Sequence, residues 1–298
     1  MTGTSNSQRS AALLAAIFVA MAVAGCGPGL ASAPAGGNGA QTQEPVSLTA
    51  TGSARFSDML TSVAIDRNDP VQMRVLADYG AMFVAGGGAV PPPTVLFTSD
   101  AEVSGWQATV DVSRETVGRF SIELQKPAMV ALRAAVAEAS AAGLSITPRG
   151  SDAARRSYAE TVSLWKSRVD PALRHWVAAK RITQADAARI RALAPHEQVP
   201  EVLELEKKGI WFSTDFSKSI LYSVAAPGTS QHLSMLALDV AEFENARVRA
   251  ILGHHGWFQT VQSDLPHFTY LGVDESELPG RGLKSVTSSG RVFWVPAF

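Results

Sequence analysis

The apolar positions along the chain change period several times, and each change predicts an element. Val71, Val75, Ala77 and Met82 predict a helix over residues 71–85, ended by Gly86-Gly87-Gly88 and Pro91-Pro92-Pro93. Val95-Leu96-Phe97-Thr98 predicts a short strand, and the alternation of Phe120-Ser121-Ile122-Glu123-Leu124 predicts another. Pro127 then sits at the favoured first position of a helix, with Met129, Leu132, Val136 and Ala139 as its apolar stripe and Gly143 as its end. Leu144-Ser145-Ile146-Thr147 predicts a strand and completes a strand–helix–strand unit. Residues 149–208 read as largely helical, with separate helices near 152–165, 171–179 and 198–208. Between the last two, Thr183-x-x-Asp186 caps a further helix that ends before Pro195.

Strand character returns at Ile210-Trp211-Phe212 and at residues 220–224. Residues 226–239 follow a Pro-Gly turn as a mostly apolar run, a buried strand or a tight loop entering one. A helix is expected over residues 241–252, with Phe243, Val248 and Ile251 facing the core. Residues 256–261 and 268–271 read as a hairpin that presents His267. The pattern holds no internal repeat. It predicts an α+β fold: a small mixed or antiparallel sheet packed on helices, with a further helical stretch at about 169–208.

Composition adds the ends and the exclusions. Arg9 and the apolar run 11–24 form a targeting segment, too short to span a bilayer, which takes about 20 residues. It ends in Val23-Ala24-Gly25-Cys26, which resembles the lipobox of bacterial lipoproteins. That resemblance implies cleavage before Cys26, lipidation of its thiol and attachment to the cell envelope facing the periplasm, at the outer membrane in a Gram-negative host. Residues 26–55, rich in Gly, Ala, Pro, Ser, Thr and Gln, read as a flexible tether. Residues 56–119 form an N-terminal extension whose role the sequence does not indicate, and 120–298 the main domain. Cys26 is the only cysteine, so neither an internal disulfide nor a cysteine-rich zinc site exists. A net charge of -1 gives no electrostatic reason to expect nucleic acid.

Candidate chemistry concentrates in the late apolar run. His232 and Asp239 both sit on apolar walls, where burial is costly without a partner. A divalent metal satisfies both, since imidazole and carboxylate are zinc ligands, and His267 is the best third ligand. The bland reading is a hydrogen-bonded core histidine. His254 and His255 suit a helix C-terminus, and His175 and His196 read as surface residues. Either Arg149 or Arg156 could grip a carboxylate through its planar fork. Ser230 lacks the Gly-x-Ser-x-Gly setting of a nucleophile and reads as an orienting residue.

The run Pro-Gly-x-Ser230-x-His232, then Ala237-x-Asp239, resembles the core motif of the VanY-like D-alanyl-D-alanine carboxypeptidases, zinc peptidases of bacterial cell walls. The family pattern is Ser-x-His-x-x-Gly-x-Ala-x-Asp, followed later by Glu-x-x-His on a strand. His267 falls at the last ligand and Asp264 at the catalytic Glu. Arg156-Ser157-Tyr158 resembles the family's Tyr-Arg-Ser-Tyr element, while Arg149 sits directly after a strand, where the family's arginine normally lies.

The resemblance makes residues 169–208 a helical insertion in the family's domain and implies Zn2+ at the sheet edge on His232, Asp239 and His267, with Asp264 as general base. It implies Arg149 or Arg156, with Ser230, at the substrate, a peptidoglycan stem peptide. Three positions depart from the pattern: Met235 for glycine, Asp264 for glutamate, and Thr161 for a glutamine in the Arg156 register. An Asp carboxylate reaches about 1.5 Å less far than a Glu, a large step against hydrogen-bond tolerances. A non-catalytic lipoprotein that binds cell-wall peptides or a protein partner is therefore the competing expectation, and an endopeptidase a third.

Overall fold

The computed structural model describes residues 54–298. The targeting segment, Cys26 and all but the last two residues of the tether lie outside the described residues. The chain opens with a short helix α1 (Phe56–Met59), then α2 (Pro70–Tyr79), whose Asp69 cap accepts from the Val71 and Gln72 amides. A 3-10 segment (Gly80–Val84) continues α2, so the predicted helix over 71–85 is present with a tightened last part. α3 (Asp100–Gln107) follows, capped by Ser99.

β1 (Val112–Val117) and β2 (Phe120–Gln125) pair as an antiparallel hairpin, and β2 leads directly into α4 (Lys126–Ala141). Ala128, Met129, Leu132, Ala135 and Ala139 form the buried stripe of α4, which packs against β2.

α5 (Tyr158–Ala178) starts at a Ser157/Glu160 capping box and runs through Pro171. The sequence predicted two helices here, beginning at 152. Residues 152–156 are irregular instead, and one helix of 21 residues replaces the pair. An interior proline costs about 3 kcal/mol. Buried Trp165, Val169 and Leu173 flank it, each contributing roughly 1.5–3 kcal/mol, so burial wins. α6 (Gln184–Ala192) carries the predicted Thr183/Asp186 cap, and α7 (Pro195–Glu206) starts at its proline.

Beyond α7 the apolar runs are buried but are not strands. Ile210 and Phe212 lie in irregular chain, and residues 220–222 form a 3-10 turn. Residues 95–98 and 144–147 are likewise irregular. The first hydrogen-bonds to the Gly228 turn through the Phe97 amide at 3.1 Å. The second runs beside the next strand, with the Ala241 amide on the Thr147 carbonyl at 2.8 Å. Short apolar stretches signal burial more reliably than pairing.

A 3-10 turn (Gln231–Ser234) leads into β3 (Ala237–Asp239), and Asn245 caps α8 (Ala246–His254), which packs on α4. β4 (Trp257–Phe258) and β5 (His267–Tyr270) form the expected hairpin, and β3 adds to β5, giving the antiparallel order β3-β5-β4. The register sets Asp239 directly opposite His267. β6 (Leu283–Ser288) and β7 (Arg291–Pro296) close the chain as a second hairpin, absent from the sequence expectation. Ser289 and Gly290 both take positive φ at its tip, as a type I′ turn requires.

The architecture is thus α+β with small antiparallel sheets. Residues 56–84 are built into it: Phe56 and Leu76 share a buried cluster with Phe258, Leu271 and Leu283. Among the described residues, no helix is long and apolar enough to cross a membrane.

Candidate metal centre

Three side chains far apart in sequence meet beside β3. Asp239 ends this edge strand, His267 begins the central strand β5, and His232 sits on the 3-10 turn just before β3. His232 Nε2 lies 3.4 Å and His267 Nδ1 3.2 Å from the same oxygen, Asp239 Oδ1. One ligand atom from each residue falls within 4.8 Å of the others. The imidazoles stand nearly perpendicular, at 80° with centroids 4.8 Å apart, and are 2% and 4% exposed.

The opposite nitrogen of each ring determines where its proton resides. His232 Nδ1 contacts the Ala154 carbonyl at 2.8 Å, and a carbonyl can only accept, so Nδ1 donates. His267 Nε2 donates to Gln231 Oε1 at 2.8 Å. Burial pushes the His232 pKa down, favouring neutral imidazole. Burial pushes the Asp239 carboxyl up, but the adjacent His232 and His267 outweigh it and hold the group far below the ordinary carboxylate range. Arg156 Nη2 anchors the other oxygen, Asp239 Oδ2, at 3.0 Å.

The His232 Nε2 lone pair, His267 Nδ1 and the Asp239 carboxylate therefore converge. His232 Nε2 is buried without a hydrogen-bond partner. A bound cation would satisfy all three at once, and this donor set fits a divalent metal ion. The group could hold a metal.

The centre opens on a cleft of about 240 Å3, lined among others by Tyr79, Arg168, Tyr222, Ser230 and Asp264. The Asp264 side chain is exposed there, while its carbonyl accepts from the His267 amide at 3.1 Å. Ser230 borders the cleft, and its hydroxyl accepts from the His232 amide at 3.4 Å as the cap of the 3-10 turn. Arg149 is not brought to the cleft. Its amide bonds the Asp239 carbonyl at 2.9 Å, and its guanidinium lies over the Phe243 ring, 5.8 Å from the centroid.

Met235 has φ 58° and ψ 26°, the left-handed region, and is fully buried. This is the backbone conformation that a glycine adopts at no steric cost, and Met235 holds it with a Cβ. Thr161, on α5 at the cleft wall, donates to the Tyr158 carbonyl and accepts from the Gly228 amide.

Sequence reasoning missed Gln231, Tyr79 and Arg168. Gln231 was an unspecified position between Ser230 and His232, and Tyr79 and Arg168 belong to helices with no motif. No local signal distinguishes them, since tertiary packing alone brings them to the cleft. Compared with known proteins, the chain matches no family model, no curated protein and no solved structure.

Proposed function

We propose that the protein is a zinc-dependent peptidase of the D-alanyl-D-alanine carboxypeptidase type, acting on peptidoglycan stem peptides. The observation that carries this reading is the His232-Asp239-His267 cluster at the wall of an open cleft. Zn–N and Zn–O bonds of about 2.0–2.1 Å subtend a tetrahedral edge of roughly 3.3–3.4 Å; the two edges from Asp239 Oδ1 are 3.2 and 3.4 Å, and all three ligand atoms lie within 4.8 Å of one another. Bound zinc supplies Lewis acidity and brings the pKa of a water to about 7.

The chain's own groups supply the rest. Asp264, in the cleft with no side-chain partner among the described residues, is the proton acceptor. Tyr79 is not available for that role, because its hydroxyl donates to the Leu221 carbonyl. Two arginines, Arg156 and Arg168, line the cleft. Arg156 is already engaged with Asp239 Oδ2, where it holds a ligand carboxylate in place. Arg168 has no carboxylate partner among the described residues, only the Ser167 hydroxyl at 2.9 Å, and its Nε is buried and unpaired. Arg168 therefore binds the terminal carboxylate of the substrate, which favours removal of the last residue. With Cys26 lipidated, the tether would hold this domain within reach of the cell wall.

Metal analysis by mass spectrometry of wild type and His232→Ala, followed by assay of D-Ala release from a stem pentapeptide, tests the reading. About one zinc per chain, lost in the variant, with release abolished by Asp264→Asn, is the expected result. Zinc retention without cleavage of any peptide would leave a metal-bearing binder. Absence of zinc in wild type after reconstitution overturns the reading.

A further inference from the structure

We propose that Gln231 is the positioning residue of the metal centre, and that its orientation is imposed by the N-terminal segment through the backbone carbonyl of Tyr79. Gln231 is 1% exposed and both ends of its amide are engaged. The nitrogen donates to the Tyr79 carbonyl at 2.8 Å and to Thr260 Oγ1 at 3.4 Å. The oxygen accepts from His267 Nε2 at 2.8 Å and from the Thr269 hydroxyl.

Every proton in this network has one consistent place. The Tyr79 carbonyl cannot donate, so the amide nitrogen must face it, and the amide oxygen must face His267. A carbonyl-type oxygen there requires a proton on His267 Nε2, so in the neutral ring Nδ1 is the lone-pair atom aimed at Asp239. The two threonines agree. Thr260 Oγ1 and Thr269 Oγ1 are 2.6 Å apart, and each hydroxyl has one proton. Thr269 uses its proton on Gln231 Oε1, so Thr260 donates to Thr269 and accepts from Gln231. Gln231, Thr260 and Thr269 thus close a ring of hydrogen bonds that runs in one direction. Reversing the amide would let the threonine ring run the other way, but it would set the amide oxygen against the Tyr79 carbonyl and the NH2 against His267 Nε2.

Without this acceptor, His267 would gain by placing its proton on Nδ1, 3.2 Å from the Asp239 carboxylate. That tautomer blocks the nitrogen the metal needs. Tyr79 closes α2, in the segment read from sequence as an extension. The inference rests on the zinc reading for its consequence, but the tautomer itself does not require metal.

The test has two parts. The first is 15N NMR of histidine-labelled, metal-free protein at a pH well above the ordinary histidine pKa of about 6.5. His267 should carry its proton on Nε2 in wild type and shift toward Nδ1 in Gln231→Leu. The second is zinc affinity by competition with a chelator. Gln231→Leu should weaken it roughly 10- to 100-fold, as loss of a partner that orients a ligand histidine does. Gln231→Glu keeps an acceptor for His267 and loses the donor to Tyr79, so it should keep zinc affinity within about threefold of wild type while lowering the melting temperature.

A proton on Nδ1 in wild type overturns the proposal, and this measurement needs no variant to fold. So does a Gln231→Glu protein that loses as much zinc affinity as Gln231→Leu, because the residue would then be merely structural. If wild type takes up no zinc yet shows the Nε2 tautomer, and Gln231→Leu shifts it, the positioning role stands and the peptidase reading falls.

Discussion

Met235 allows a quantitative test of how the turn before β3 is built. Its left-handed backbone, φ 58° and ψ 26°, costs a side chain bearing a Cβ roughly 1–2 kcal/mol. Its side chain is fully buried, and truncating a buried Met to Ala costs about 2–5 kcal/mol. Met235→Ala keeps the backbone strain and loses the packing, so it should destabilise by about 2–5 kcal/mol. Met235→Gly loses the same packing but also the strain, offset by about 0.5–1 kcal/mol for glycine's extra freedom in the unfolded chain.

Glycine should therefore be the milder substitution, more stable than alanine by up to about 1.5 kcal/mol. Both variants should remain below wild type, so the burial of Met235 outweighs its strain. At an ordinary right-handed position the order is reversed, with alanine above glycine by about 0.5–1 kcal/mol. Urea denaturation of the three proteins, stripped of metal and followed by tryptophan fluorescence, gives the order directly. A Met235→Gly protein less stable than Met235→Ala would refute the account of this turn.

Other consequences follow from particular contacts. Gly228→Ala should destabilise by about 2–5 kcal/mol and lower zinc affinity, as read by thermal melts and chelator competition. A Cβ there would sit 1.9 Å from the Phe97 carbonyl oxygen at φ +78°, displacing the turn that carries His232. Arg168→Ala should raise KM for a peptide with a free C-terminal carboxylate by roughly 10- to 100-fold and leave an amidated peptide unchanged, since a charged hydrogen bond contributes about 1.5–3 kcal/mol. Equal effects on both peptides would remove Arg168 from carboxylate recognition.

Glu206 is buried, and desolvation raises its pKa despite bonds from Ser219 and the Ile220 amide. Its folded pKa therefore lies above its unfolded value, so its contribution to stability falls as pH rises from the unfolded value of 4.5 through the folded one. Relative to wild type, Glu206→Gln should gain melting temperature as pH is raised across that window. A constant difference would show that the carboxyl is not perturbed.

How much of this was legible along the chain depends on the range of the forces involved. Capping and helical periodicity act within a few residues. The Thr183/Asp186 cap, the first turn of α4 with Pro127 at its second position rather than its first, and the hairpin presenting His267 were therefore readable from local pattern. The spacing of His232, Asp239 and His267, with the cost of burying them unpaired, sufficed to nominate the cluster. Burial without strand pairing at 95–98, 144–147 and 210–212 was not readable, because an apolar run states that it is buried and not which backbone groups satisfy it.

The sequence favoured Arg149 over Arg156 for its place after an expected strand, and only the fold turns Arg149 over Phe243 and Arg156 onto Asp239. The proton on His267 belongs to the same class. It is decided by a glutamine whose amide is oriented by a carbonyl 152 residues away. Composition and local spacing thus determined the ligand types and most of the helices. The orientation and access that would let those residues hold a metal came only with tertiary structure, because hydrogen bonds between distant segments have no local periodicity to announce them.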